Sequence, residues 1–70
     1  IDFTAIFIED LEEMDSIKIS FRSKNIFPCD KFAKKFFNGG GHKNAAGGKY
    51  LGKIDDAVEK FKKSLKDFNF

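Results

Sequence analysis

The chain has 70 residues, room for one small domain and none for a second. With 41% hydrophobic and 34% charged residues it is too apolar for a disordered tail, while a core this small argues against a self-contained enzyme with a deep pocket. A net charge of +2 does not by itself mark a nucleic-acid binder.

No apolar run approaches the ~18 residues of a membrane span, and no signal-peptide pattern opens the chain. Ile1 in place of Met points to a piece of a longer protein. The single cysteine, Cys29, excludes an internal disulfide and fits a reducing, cytoplasmic compartment. One Cys and one His cannot build a structural zinc site. The aromatics are almost all Phe, which brings area without a polar handle, so they read as core.

Residues 2–9 are rich in Phe and Ile and predict a strand. Phe3 and Phe7 fall on one face, Ile6 and Ile8 on the other, which predicts cover on both sides. Residues 10–16 are polar and turn-like, and their acids read as a solvated, charged edge. Residues 17–23 alternate: Ile17, Ile19 and Phe21 face one way, Lys18, Ser20 and Arg22 the other. The two segments form an antiparallel hairpin. Arg22 is the one arginine among 13 basic residues. Its planar fork can hold a phosphate at two oxygens, where Lys supplies only a point charge. On composition alone a surface ion pair explains it as well.

After a loop holding the only proline, Pro28, Asp30 is placed to cap a helix over roughly 31–37. Phe32, Ala33, Phe36 and Phe37 share its apolar face, and Asn38 and Gly39 stop it. Residues 39–48, GGGHKNAAGG, then carry five of the protein's 6 glycines. Read as a loop, this stretch admits close approach of a ligand to the main chain, and its N–H groups can form an anion nest. His42 follows at once and adds a side-chain donor. Neither the P-loop nor the dinucleotide-binding pattern fits: Gly48 and Lys49 are followed by Tyr50, and the glycines follow a helix. Residues 49–51 predict a short strand. A helix from about Asp55 to Asp67 follows, with Ile54, Val58, Phe61, Leu65 and Phe68 on one stripe. The order is β-β-α-loop-β-α, an α+β fold with two helices on a small sheet.

The run Gly39-Gly40-Gly41-His42-Lys43-Asn44-Ala45-Ala46-Gly47 resembles the GGGH-x-x-AAG signature of the C-terminal, substrate-binding domain of DHH-family phosphoesterases. Ser20-Phe21-Arg22-Ser23, with Asp30-Lys31-Phe32-Ala33 after it, resembles the S-x-R-S strand and following helix of that domain. Order and spacing agree over residues 1–68. The nearest look-alikes are nanoRNase/oligoribonuclease members that also act on adenosine 3′,5′-bisphosphate.

The resemblance implies a division of labour. An upstream catalytic domain with an Asp-His-His motif holds manganese and hydrolyses, and this domain binds the phosphate or nucleotide end of short RNA or nucleotide phosphates. Arg22, Gly39, Gly40, Gly41 and His42 are then the phosphate-contacting residues, with Ser20, Ser23, Lys43, Ala45, Ala46 and Gly47 in support. No Asp-His-His motif and no cluster of metal ligands is present in the sequence, so the chain alone is expected to be inactive and to hold no metal tightly. Cys29 reads as a small buried hydrophobe. Two alternatives stand beside this one: a non-catalytic nucleic-acid-binding module like the glycine-rich C-terminal domain of alanyl-tRNA synthetases, and a dimerisation module.

Overall fold

The computed structural model describes residues 3–24 and 26–68. Its elements are β1 (Phe3–Glu9), β2 (Ser16–Ser23), α1 (Cys29–Phe37), β3 (Gly40–His42), β4 (Ala45–Leu51) and α2 (Ile54–Asp67). Asp2, the predicted first residue of β1, lies outside the described residues. The strands form one antiparallel sheet in the order β1-β2-β4-β3. The fold is α+β, as predicted.

The order is β-β-α-β-β-α, one strand richer than the sequence reading. The glycine-rich stretch is a tight hairpin, with β3 and β4 joined at Lys43 and Asn44. Gly and Ala have low strand propensity and display no alternating pattern. What makes β4 a strand is its long pairing with β2, from Ser16↔Leu51 to Arg22↔Ala45.

The alternation of β2 sets the core. Ile17, Ile19 and Phe21 are buried beneath the helices, with Phe32, Ala33 and Phe37 of α1 and Ala57 of α2. Phe rings fill the layer: Phe21 meets Phe32 edge-on at 5.5 Å, and Phe3 stacks on Phe27 at 4.0 Å. Such pairs add about 0.5–1.5 kcal/mol each beyond their buried area. Cys29 is fully buried in the same cluster, as expected.

Three local expectations are corrected. Asp30 does not cap α1: the N-cap is Pro28, the helix begins at Cys29, and Asp30 sits in the first turn, where its charge still suits the helix dipole. The buried stripe of α2 runs through Ala57 and Ser64, while Leu65 is exposed. Ser64 is tolerated inside because its hydroxyl donates to the Lys60 carbonyl at 2.7 Å. On β1, Phe3, Ala5 and Phe7 pack on the core, but Ile6 and Ile8 are half exposed, so within this chain the strand is covered on one side only. The expected stop at Asn38 holds. It takes the left-handed conformation (φ 51°), and Gly39 N–H donates to the Ala33 carbonyl at 3.0 Å.

Candidate functional site

Because side chains alternate across a strand, the register places every outward residue. On the face turned away from the helices, Thr4, Arg22, Ala45 and His42 form one row across all four strands. Ile6, Ser20, Gly47 and Gly40 form the next, and Ile8, Lys18 and Lys49 the third. Arg22 and His42 are both exposed. They stand two strand spacings apart, about 10 Å between backbones, with only the methyl of Ala45 between them. The result is a shallow trough with a cationic wall at Arg22, an imidazole at His42 and a floor of Ala45, Gly47 and Gly40. β3 is an edge strand, so one row of its backbone polar groups faces away from β4.

The glycines divide into two sets. A methyl on Gly39 would come within 1.8 Å of the Gly47 carbonyl oxygen, and one on Gly48 within 2.7 Å of Phe37 Cβ. Gly41 has φ +146° and would press on Ala45 and Ala46. The fold itself requires these three. A methyl on Gly40 would meet nothing within 4 Å, and one on Gly47 only an ordinary contact at 3.6 Å. Gly40 and Gly47 are directly paired on the open face. No steric demand of the described residues accounts for either, and both lie in the floor of the trough, in the row next to that of Arg22 and His42.

The hairpin is held in register from below. Ser23 N–H donates to the Asn44 carbonyl at 3.0 Å, and Cys29 N–H to the Lys43 carbonyl at 2.7 Å. Asn44 Nδ2 donates to Ser23 Oγ at 3.0 Å, and that hydroxyl donates to the Phe27 carbonyl at 2.8 Å. Ser23 thus ties the end of β2 to the turn after His42. Beside this tether is an open depression of about 330 Å³ lined by Thr4, Arg22, Ser23, Lys24 and Asn44.

The predicted residues therefore separate by position. Ser20, Arg22, Gly40, His42, Ala45 and Gly47 share the open face; Gly41 and Ala46 pair opposite each other on the helix side, level with Phe21. Lys43 is in the turn and Ser23 in the tether. Sequence reasoning missed the pairing of Gly40 with Gly47 and the row of Lys18 beside Lys49. The period-two pattern already carries Lys18 outward with Ser20 and Arg22, and Lys49 falls in the predicted strand 49–51; what the sequence does not display is the register that sets the two opposite each other.

The acidic connection between β1 and β2 is more than a solvated edge. Lys49 Nζ lies 2.6 Å from Glu13 Oε1, and Lys18 Nζ lies 3.9 Å from Asp10 Oδ2. The Glu12 backbone N–H, donating to Asp10 at 2.9 Å, and then the Lys18 ammonium hold the Asp10 carboxyl below its ordinary range. The hydrogen bond to Glu13 pushes the Lys49 ammonium up. Arg22 and His42 make no ion pair among the described residues. The open face is thus neutralised at its Lys18–Lys49 end and cationic at its Arg22 end.

Among the described residues no three His, Cys, Asp or Glu side chains come together to hold a metal ion, and the acids nearest the face are turned to lysines. These residues do not fit a manganese site. Among the described residues no helix is long and apolar enough to cross a membrane.

No curated protein matches the chain. Among solved structures, it is similar to an exopolyphosphatase-related protein from Bacteroides fragilis, with a TM-score of 0.86 and 45% sequence identity. That match covers 94% of this chain and 18% of the other, so the chain spans under a fifth of that protein's length. The DHHA1 domain family matches residues 2–68. With nearly its whole length matched, and with the GGGH hairpin and Arg22 gathered on one sheet, the chain belongs to the DHHA1 domain family.

Proposed function

We propose that this domain binds the phosphate end of short RNA or nucleotide phosphates for a DHH-type catalytic domain lying upstream in the same protein. The observation that carries this reading is the trough: Arg22 and His42 stand beside a floor of Ala45, Gly40 and Gly47 on a sheet face that none of the described residues covers. Arg22 supplies a fork for two phosphate oxygens and His42 a further donor. Gly40 and Gly47 admit the ligand close to the main chain, while Gly39 and Gly41 keep the hairpin in the shape that presents them. Hydrolysis, with the metal it requires, belongs in this reading to the upstream domain. Similarity to a protein described as exopolyphosphatase-related supports a phosphoesterase parent.

The test is a titration of the 70-residue protein with adenosine 3′,5′-bisphosphate, followed by amide chemical shifts. Half a cleft should bind weakly, near millimolar, or about 4 kcal/mol. Shifts are expected at Arg22, Gly40, His42 and Gly47. Shifts confined to α2 with residues 39–48 silent would overturn the reading. Concentration-dependent shifts at the hairpin without ligand would favour dimerisation instead.

A further inference from the structure

The same open face that carries Arg22 and His42 also carries Lys18 and Lys49, directly opposite each other one strand apart. Four residues along β2 and β4 separate the two rows, about 13 Å at the rise of a strand. Left alone, these lysines would extend the cationic track along the sheet, as a chain of several phosphates would want. They are not left alone: the β1–β2 connection bends over that end and sets Glu13 on Lys49 and Asp10 on Lys18. The connection is anchored at both of its ends, by Asp10 N–H to the Ser16 carbonyl at 2.8 Å and by Gly52 N–H to the Asp15 carbonyl at 2.6 Å. Its carboxylates therefore stand where a further phosphate of a long ligand would arrive.

Resting on the function proposed above, we propose that Asp10 and Glu13 are an electrostatic end stop, internal anions that occupy Lys18 and Lys49 and limit the site to short polyanions. A ligand held by its end at Arg22 and His42 meets neutral or acidic surface beyond the Gly40–Gly47 row. Neutralising the two carboxylates frees two ammonium groups along the same line, which lengthens the track without changing its start. The cross-strand pair of like charges gives the acids a competing, purely structural use, since facing lysines destabilise a sheet. That use predicts a change in stability and no dependence on ligand length.

The experiment compares a 5′-phosphorylated dinucleotide and octanucleotide of adenylate on the wild-type protein and on Asp10→Asn/Glu13→Gln, each over a range of salt. The wild type should bind both within about twofold, since the added phosphates find no new cations. The variant should bind the dinucleotide unchanged and the octanucleotide about tenfold tighter, with its salt slope steeper by about 1.4, two phosphates at about 0.7 each. Adding Lys18→Gln and Lys49→Gln should erase that gain. Equal tightening of both ligands, or none, overturns the end stop while leaving the phosphate site intact. Failure of the wild type to bind the dinucleotide overturns both. Should the double variant not fold, Glu13→Gln alone carries the test, with half the change in salt slope.

Discussion

Arg22 and His42 stand on one face of the sheet on either side of Ala45, brought together by the pairings Arg22↔Ala45 and His42↔Ala45. They are 20 positions apart in sequence (42 minus 22), and the β4 strand alone makes them neighbours. Arg22→Lys is expected to leave the domain folded, since an exposed change moves stability by no more than about 0.5 kcal/mol. Binding of adenosine 3′,5′-bisphosphate should weaken about ten- to a hundredfold, the scale of a charge-assisted hydrogen bond of 1.5–3 kcal/mol. If both residues grip one phosphate, Arg22→Lys and His42→Asn will be non-additive in binding. Normal binding with a collapsed melting temperature would make Arg22 a structural residue.

Ser23 is the hinge pin of this arrangement, receiving from Asn44 and donating to the Phe27 carbonyl. Ser23→Ala removes both bonds and leaves the partly buried Phe27–Ser23 contact unmade. A loss of about 1–2 kcal/mol is expected in denaturant melts. Because the turn after His42 is loosened, ligand affinity should fall as well. Ser23→Thr, which keeps the hydroxyl, should restore most of both.

How much could be read beforehand follows from which residues carry a pattern. The facing of Arg22 was legible because Ile17, Ile19 and Phe21 alternate strictly with Lys18, Ser20 and Arg22, and burial obeys that alternation. α2 was legible to within a residue at its start, from the helical spacing of Ile54, Val58, Phe61, Leu65 and Phe68, although Leu65 is exposed. The β3–β4 hairpin was not. Its strands are written largely in Gly and Ala, residues that signal flexibility locally, and the strand exists through its partner β2. The buried position of Ser64 was hidden likewise, because its hydroxyl is satisfied by its own helix.

The acidic connection contributes to the pH behaviour at low pH through Asp10. Asp10 is shifted down chiefly by the Glu12 N–H and less by Lys18. A carboxylate whose folded value lies below its unfolded one, about 3.9, contributes stability that is fully present above that value. The contribution is lost as pH falls through the lowered folded value. A carboxyl-detected titration should give Asp10 a midpoint below the ordinary aspartate value of about 3.9. Lys18→Gln should raise the Asp10 midpoint only part of the way, because the backbone bond remains. A full return to the ordinary value would mean that Lys18, and not the Glu12 amide, is the main cause.

The sharpest division concerns two neighbouring glycines. Gly40 has open space where a Cβ would stand, whereas Gly41 has φ +146° and would drive a methyl to 2.8 Å from the Ala45 carbonyl oxygen. Gly41→Ala must therefore strain the backbone and push β3 off β4, at about 1–3 kcal/mol in stability. Gly40→Ala should leave the melting temperature where it was, because nothing in the chain is displaced. Its methyl projects instead onto the floor of the trough beside Gly47, one row along from Arg22 and His42. There it would hold a phosphate away from the main chain, and binding of adenosine 3′,5′-bisphosphate should drop about tenfold or more, about 1.4 kcal/mol. The pair of measurements separates the two jobs of the GGGH hairpin. A Gly40→Ala protein that melts normally and binds normally would show that the open floor receives no ligand, and the trough would lose its claim to be the site.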